Sequence, residues 1–233
     1  MNLLHQIKES LLHLAFPHIC EGCGTDVLEM EHELCLKCLA ALPHTNFHLH
    51  ADNPIEKIFW GRLPVQNAAA LFYFTKESLM QHLMHQLKYR GNKELGFYLG
   101  KLMGESIAAS NRFKQIDGLV PLPLFKSKEK KRGYNQATVL CEGISKVLEK
   151  PVWKDVIHRT TYTDTQTKKN RIQRWQNMEN RFELNEPGFV NGKHILLVDD
   201  VITTGATLES CGLELLKAEN VQLSLLTLCF SDH

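Results

Sequence analysis

Leu79, Leu83 and Leu87 recur four residues apart within 78–90, the spacing of one helical face, and "YRGN" (89–92) ends that run. Leu95, Leu99, Leu102, Met103 and Ile107 mark a second helix, and Ala137, Leu140, Cys141, Ile144, Val147 and Leu148 a third. Shorter apolar runs read as strands: "AAALFYF" (68–74), "IDGLVPLPL" (116–124, stopped by Pro121 and Pro123), "HILLV" (194–198) and "VQLSLLTLCF" (221–230). Between the last two, Leu208, Cys211, Leu215 and Leu216 predict another helix. Strands alternating with helices predict an α/β fold, a mainly parallel sheet with flanking helices. Ligands of such sheets sit beyond the carboxyl ends of the strands.

The ends of the chain read differently. Leu3, Leu4, Ile7, Leu11 and Leu14 keep helical spacing, but His5, Lys8, Glu9 and His13 interrupt them, so 1–20 predicts an amphipathic helix rather than a signal peptide. Residues 42–54, "LPHTNFHLHADNP", read as a polar linker. The pattern therefore divides into 1–50, the helix with a small cysteine module, and 55–233, the main domain. Residues 158–181 are polar and basic, with few apolar positions.

Composition changes this picture little. The 233 residues carry a net charge of +1 and are 43% hydrophobic and 23% charged, which is ordinary for a soluble globular protein, and the bulk charge says nothing about a partner. No run approaches the ~20 apolar residues that span a bilayer, so the expectation is cytoplasmic. Charge is local instead: "KSKEKKR" (126–132) holds five basic residues and one acid, and reads as a basic loop.

Of the seven cysteines, Cys141, Cys211 and Cys229 stand inside apolar segments as small core residues. The other four form two C-x2-C pairs, Cys20 with Cys23 and Cys35 with Cys38, separated by eleven residues. Two such knuckles aim four thiolates at one centre, which suits tetrahedral structural Zn2+; four protein ligands leave no open position for catalysis. Disulfides fit a reducing compartment poorly.

The chemistry concentrates in "HILLVDDVITTGATLES" (194–210). Asp199 and Asp200 stand at the carboxyl end of a strand, where carboxylates can accept hydrogen bonds from vicinal sugar hydroxyls. Thr203, Thr204, Gly205, Ala206 and Thr207 form a turn into a helix, where small residues let backbone N–H groups close on an anion. A ribose 5-phosphate fits both halves. Lysine does not follow the glycine as in a P-loop, and the dinucleotide pattern G-x-G-x-x-G is absent.

"LLVDDVITTGAT" resembles the phosphoribosyl-pyrophosphate (PRPP) loop of type I phosphoribosyltransferases. Together with the four-cysteine module, "YRGN", "VPLPL" (120–124), "KRGYNQA" (131–137) and "TDTQ…RWQN" (163–177), the chain resembles the ComF family over nearly its whole length. The resemblance implies a type I phosphoribosyltransferase-like domain behind a zinc-ribbon-like module. It assigns Asp199 and Asp200 to the ribose, and Val201, Thr203, Thr204, Gly205, Ala206 and Thr207 to the rest of PRPP, chiefly its 5-phosphate. Lys130, Lys131 and Arg132 become candidates for pyrophosphate, with Mg2+ accompanying PRPP. Arg159, Gln166, Arg171 and Arg174 become candidates on a closing hood, and Arg90 and Asn135 are either ligand contacts or structural hydrogen-bonders.

The family's link to natural competence implies incoming single-stranded DNA, and other competence proteins at the inner face of the membrane, as partners. Two functions stand side by side: transfer of a phosphoribosyl group to an acceptor the sequence does not name, or PRPP and single-stranded DNA binding without turnover. For the second, Tyr134 and Trp175 are the candidate exposed aromatics beside the basic segments.

Overall fold

The computed structural model describes residues 18–26, 32–160 and 182–231. The amphipathic pattern of 1–17, and Gln166, Arg171, Arg174 and Trp175 in the polar segment, lie outside the described residues.

In chain order the elements are α1 (Leu36–Ala40), α2 (Pro54–Phe59), β1 (Asn67–Tyr73), α3 (Leu79–Tyr89), α4 (Lys93–Ala108), β2 (Gly118–Pro121), α5 (Lys126–Arg132) and α6 (Gln136–Leu148). They continue with β3 (Ile157–Arg159), β4 (Phe182–Leu184), α7 (Pro187–Val190), β5 (His194–Ile202), α8 (Ala206–Leu215) and β6 (Gln222–Phe230). Four strands form a parallel sheet in the order β1-β6-β5-β2, while β3 and β4 pair antiparallel as a separate ladder. β5 and β6 are central, and both are buried on both faces over most of their length. That explains why neither strand alternates like one with a wet face: Ile195–Val198 is an apolar run, and β6 after Gln222 is apolar on both faces apart from the buried Ser224 and Thr227.

β5 is longer than "HILLV" predicts. Its ladder with β6 continues past the two acids, pairing Asp199 with Thr227 and Val201 with Cys229, and closes at Ile202 opposite Phe230. The acids thus sit on a strand held by a central neighbour, not on a free turn.

α4 and α6 pack with their backbones in close approach. Gly96, Gly100 and Gly104 line one stripe of α4, and a Cβ added at Gly100 would stand 2.4 Å from the Leu140 carbonyl oxygen. Gly143 of α6 returns the approach, with 2.2 Å from such a Cβ to the Phe97 carbonyl oxygen. Backbones this close tolerate no side chain between them.

Two expectations need correction. Residues 42–54 are not a linker: Thr45 Oγ1 donates to the Ala70 carbonyl, His44 bridges Phe72, and buried Asn53 donates to the carbonyls of Phe47, His50 and Ala68. The polar side chains that suggested solvent instead fasten this segment to β1 and cap α2, where Asn53 Oδ1 accepts from Ile55 N–H at 2.9 Å. The basic segment 126–132 is likewise a helix, not a loop; lysine, arginine and glutamate all favour helix, and Gly133 at φ 81° supplies its left-handed stop.

Candidate functional site

Cys20, Cys23, Cys35 and Cys38 converge, with their Sγ atoms all within 4.8 Å of one another. Cys23 Sγ lies 3.7 Å from Cys35 Sγ, near the ~3.8 Å edge of a tetrahedron with zinc–sulfur bonds of about 2.3 Å. The Cys20 thiol is raised by burial, but N–H groups of Cys35 (3.2 Å) and Gly22 (3.4 Å) point at its sulfur, and the balance draws it down to about 7. A sulfur that collects backbone donors is prepared to be a thiolate. The donor set fits structural Zn2+, which these four residues would hold. Gly22 is required by packing, since a Cβ there would meet Cys38 Sγ at 2.8 Å. His18 Nε2 bonds to the His32 carbonyl at 2.8 Å and His32 Nδ1 to the Tyr98 hydroxyl at 3.5 Å, and neither ring belongs to the sulfur cluster.

Toward its carboxyl end, β5 carries Asp199 and Asp200. Asp200 N–H donates to Asp199 Oδ1 at 2.7 Å. Burial pushes the Asp199 carboxyl up to about 8, and the neighbouring Asp200 carboxylate adds to the push. Lys88 Nζ, reaching from the last turn of α3, lies 3.0 Å from Asp200 Oδ2.

The turn after β5 is built around Gly205. Its φ of 76° is left-handed, and a Cβ would stand 2.8 Å from Ile58 Cγ2 and 2.9 Å from Phe59 Cζ, so α2 forms the floor beneath it. From the same side Arg62 donates to the Thr204 carbonyl at 3.3 Å and pairs with Glu209. Asp199 and residues 201–208 enclose a hollow of about 50 Å³ at the N-terminus of α8, with Thr203, Thr204 and Ala206 exposed above it. Backbone N–H groups at this helix start favour an anion.

Beside the acids opens a cleft of about 170 Å³ that gathers Lys88, Lys128, Arg132 and Arg159 around Asp199, Asp200 and Thr207. Four cations facing two acids favour an anionic ligand that also carries donors. Arg159, on β3, lays its guanidinium 3.9 Å from the Phe125 ring centroid and 5.3 Å from that of Phe182, which fixes it over the cleft. Asn135 lines the same wall while capping α6 and donating to the Leu122 carbonyl at 2.9 Å.

The sequence-predicted residues separate accordingly. Asp199, Asp200, Thr207, Arg132 and Arg159 meet in one cleft, and Val201, Thr203, Thr204, Gly205 and Ala206 form the adjoining hollow. Lys130 and Lys131 stand exposed on α5 outside the cleft lining, which takes Lys128 and Arg132 from that helix. Arg90 is exposed. Tyr134 is not an exposed aromatic: it is buried, with its hydroxyl donating to the Leu87 carbonyl. Lys88 was missed, although it immediately precedes the "YRGN" motif, and that adjacency was the available signal.

A sequence model described as "Phosphoribosyl transferase domain" matches residues 135–233. DNA utilization protein YhgH of Escherichia coli O157:H7 is 31% identical over 222 residues, covering 93% of this chain and 92% of that protein. Competence protein F of Haemophilus influenzae is 27% identical over 222 residues, with 91% of each chain covered. Competence protein ComFC of Bacillus subtilis is 31% identical over 151 residues, 64% of this chain and 59% of that one. The parallel sheet with flanking helices is the type I phosphoribosyltransferase-like architecture, preceded by a four-cysteine cluster. Among the described residues no helix is long and apolar enough to cross a membrane.

Proposed function

Because the chain belongs to the ComF family, we propose that it is a phosphoribosyltransferase-like protein that binds PRPP with Mg2+ and serves the handling of incoming single-stranded DNA. The observation that carries the reading is the juxtaposition of two pockets along one strand end. The hollow around Gly205 suits a phosphate, and the cationic cleft sharing Asp199 with it suits a pyrophosphate. A ribose between them would place its hydroxyls against Asp199 and Asp200.

In this arrangement the backbone of 203–207 holds the 5-phosphate and the two acids orient the sugar. Lys88, Lys128, Arg132 and Arg159 face the pyrophosphate. Asp199 and Asp200 stand where Mg2+ bound to PRPP would find carboxylate oxygens, and the ion would supply neutralisation of charge gathering on pyrophosphate. Displacement at ribose C1 breaks the C1–O bond to pyrophosphate and forms a bond to the acceptor nucleophile, so fixed cations on the leaving-group side lower the barrier. Arg159 on the β3–β4 ladder sits over this side, and a cover there would exclude water from the sugar cation.

The DNA role rests on the names borne by relatives of 31% and 27% identity along nine-tenths of the chain. The testing experiment is a pyrophosphate-release assay with PRPP, Mg2+ and a panel of acceptors that includes single-stranded DNA. Release that requires one acceptor identifies a transferase and its substrate. Saturable PRPP binding with no release under any acceptor identifies a binding protein, and absence of PRPP binding rejects the proposal.

A further inference from the structure

α3 is gripped on both sides. On one side Leu79, His82 and Gln86, at helical spacing, meet the first cysteine knuckle. Gln86 Nε2 donates to the Glu21 carbonyl at 3.0 Å, His82 Nε2 stands 3.1 Å from the same oxygen, and a Cβ on Gly22 would lie 3.0 Å from Leu79 Cδ1. Glu21 and Gly22 are the residues between Cys20 and Cys23, so the knuckle turn itself is the docking surface. On the other side, two residues on from Gln86, Lys88 reaches Asp200 at 3.0 Å. Between them Leu87 is buried and its carbonyl accepts from Tyr134.

We propose that the four-cysteine knuckle is a brace for the PRPP cleft: it fixes α3 through Gln86, and α3 in turn fixes Lys88 against Asp200 and the pyrophosphate. The inference rests on the PRPP reading above and gives the module a function at that cleft. Its physical basis is the direction of one carbonyl. The Glu21 oxygen points at α3 because the turn closes on Cys20, with Gly24 N–H donating to the Cys20 carbonyl at 2.8 Å and Glu21 N–H to the Glu33 carbonyl at 2.9 Å. Zinc bound by Cys20 and Cys23 would hold that turn. Once the turn opens, Gln86 Nε2 loses the Glu21 carbonyl and keeps only the His82 ring, 3.2 Å away on α3 itself, so this face of α3 is no longer anchored to the knuckle. Gln86 is therefore a positioning residue, and Lys88 is the group that would touch the ligand.

The test is a cycle with two perturbations, zinc removal by chelation and Gln86→Met, which keeps the side-chain volume and deletes the donor. PRPP affinity with Mg2+ is measured by calorimetry for the four states, with zinc content measured alongside. The brace predicts that Gln86→Met retains zinc yet binds PRPP severalfold more weakly, and that stripping zinc weakens the parent chain but adds little to the variant. Losses that simply add, or unchanged affinity in zinc-loaded Gln86→Met, overturn it. Should the variant not fold, unchanged affinity of the zinc-stripped parent chain overturns it alone. A parent chain that binds no PRPP in any state rejects the PRPP reading instead, and the brace with it.

Discussion

Lys88 Nζ lies 3.0 Å from Asp200 Oδ2, so a helix early in the chain supplies the counter-charge for an acid on the last strand but one. Both side chains are mostly shielded from solvent, at 22% and 14% exposure, which makes the pair stronger than a surface ion pair. It holds Asp200 in place before any ligand arrives. A ribose hydroxyl would compete for the carboxylate and leave the ammonium to a phosphate.

Lys88→Met keeps the alkyl stem and deletes the charge. PRPP affinity should fall about tenfold, the worth of one charge-assisted hydrogen bond, as read by calorimetry. Ribose 5-phosphate, which lacks pyrophosphate, should lose less. Equal losses for both ligands would show that Lys88 serves only Asp200.

Asp199 links stability to pH. Its folded-state pKa is raised to about 8, above the roughly 3.9 of an unfolded aspartate, so the folded protein binds the extra proton between those values. The contribution is most favourable below about pH 4 and is lost as pH rises through 8. Asp199→Asn removes it, so the variant's melting temperature should gain on the parent's between pH 5 and pH 8. A constant difference across that range would remove the assignment.

Cys35→Ser deletes one of four converging sulfurs. The variant should lose its zinc, and the melting temperature should drop, because metal affinity at such sites is folding free energy. Metal analysis of the purified protein checks the premise, and an untreated parent chain that carries no zinc would contradict it.

Gly100→Ala places a methyl 2.4 Å from the Leu140 carbonyl oxygen, a backbone atom that can move only if α4 and α6 separate. Overpacking of this kind should cost about 1–3 kcal/mol in denaturant unfolding, with no direct effect on PRPP affinity. Neutral behaviour would mean that the two helices stand farther apart in solution.

Much of this was legible because it is local. The sheet declared itself through the apolar-rich stretches of β5 and β6, which carry apolar residues on both faces because both faces are covered. Asp199, Asp200 and the small residues after them are neighbours in sequence and remain so in space. The same holds for the two C-x2-C pairs. What sequence hid was long-range or ambiguous in composition. Lys88 reaches the site only because α3 packs where it does, and no periodicity marks one lysine among several. Thr45 and Asn53 looked like solvated linker residues since polarity does not say whether the partner is water or a buried carbonyl. The charge of "KSKEKKR" suggests a loop, but its residues favour helix and Gly133 just beyond it is a helix stop signal. The charged neighbours of Tyr134 suggest exposure, whereas its ring is buried and its hydroxyl donates to the Leu87 carbonyl.

The central claim is that PRPP docks where β5 gives way to α8. Calorimetric titration of the zinc-loaded protein with PRPP and Mg2+, beside Asp199→Ala/Asp200→Ala, tests it most directly. One saturable site in the parent chain and none in the double variant is the result predicted. Equal binding by both proteins, or none by either, would contradict it.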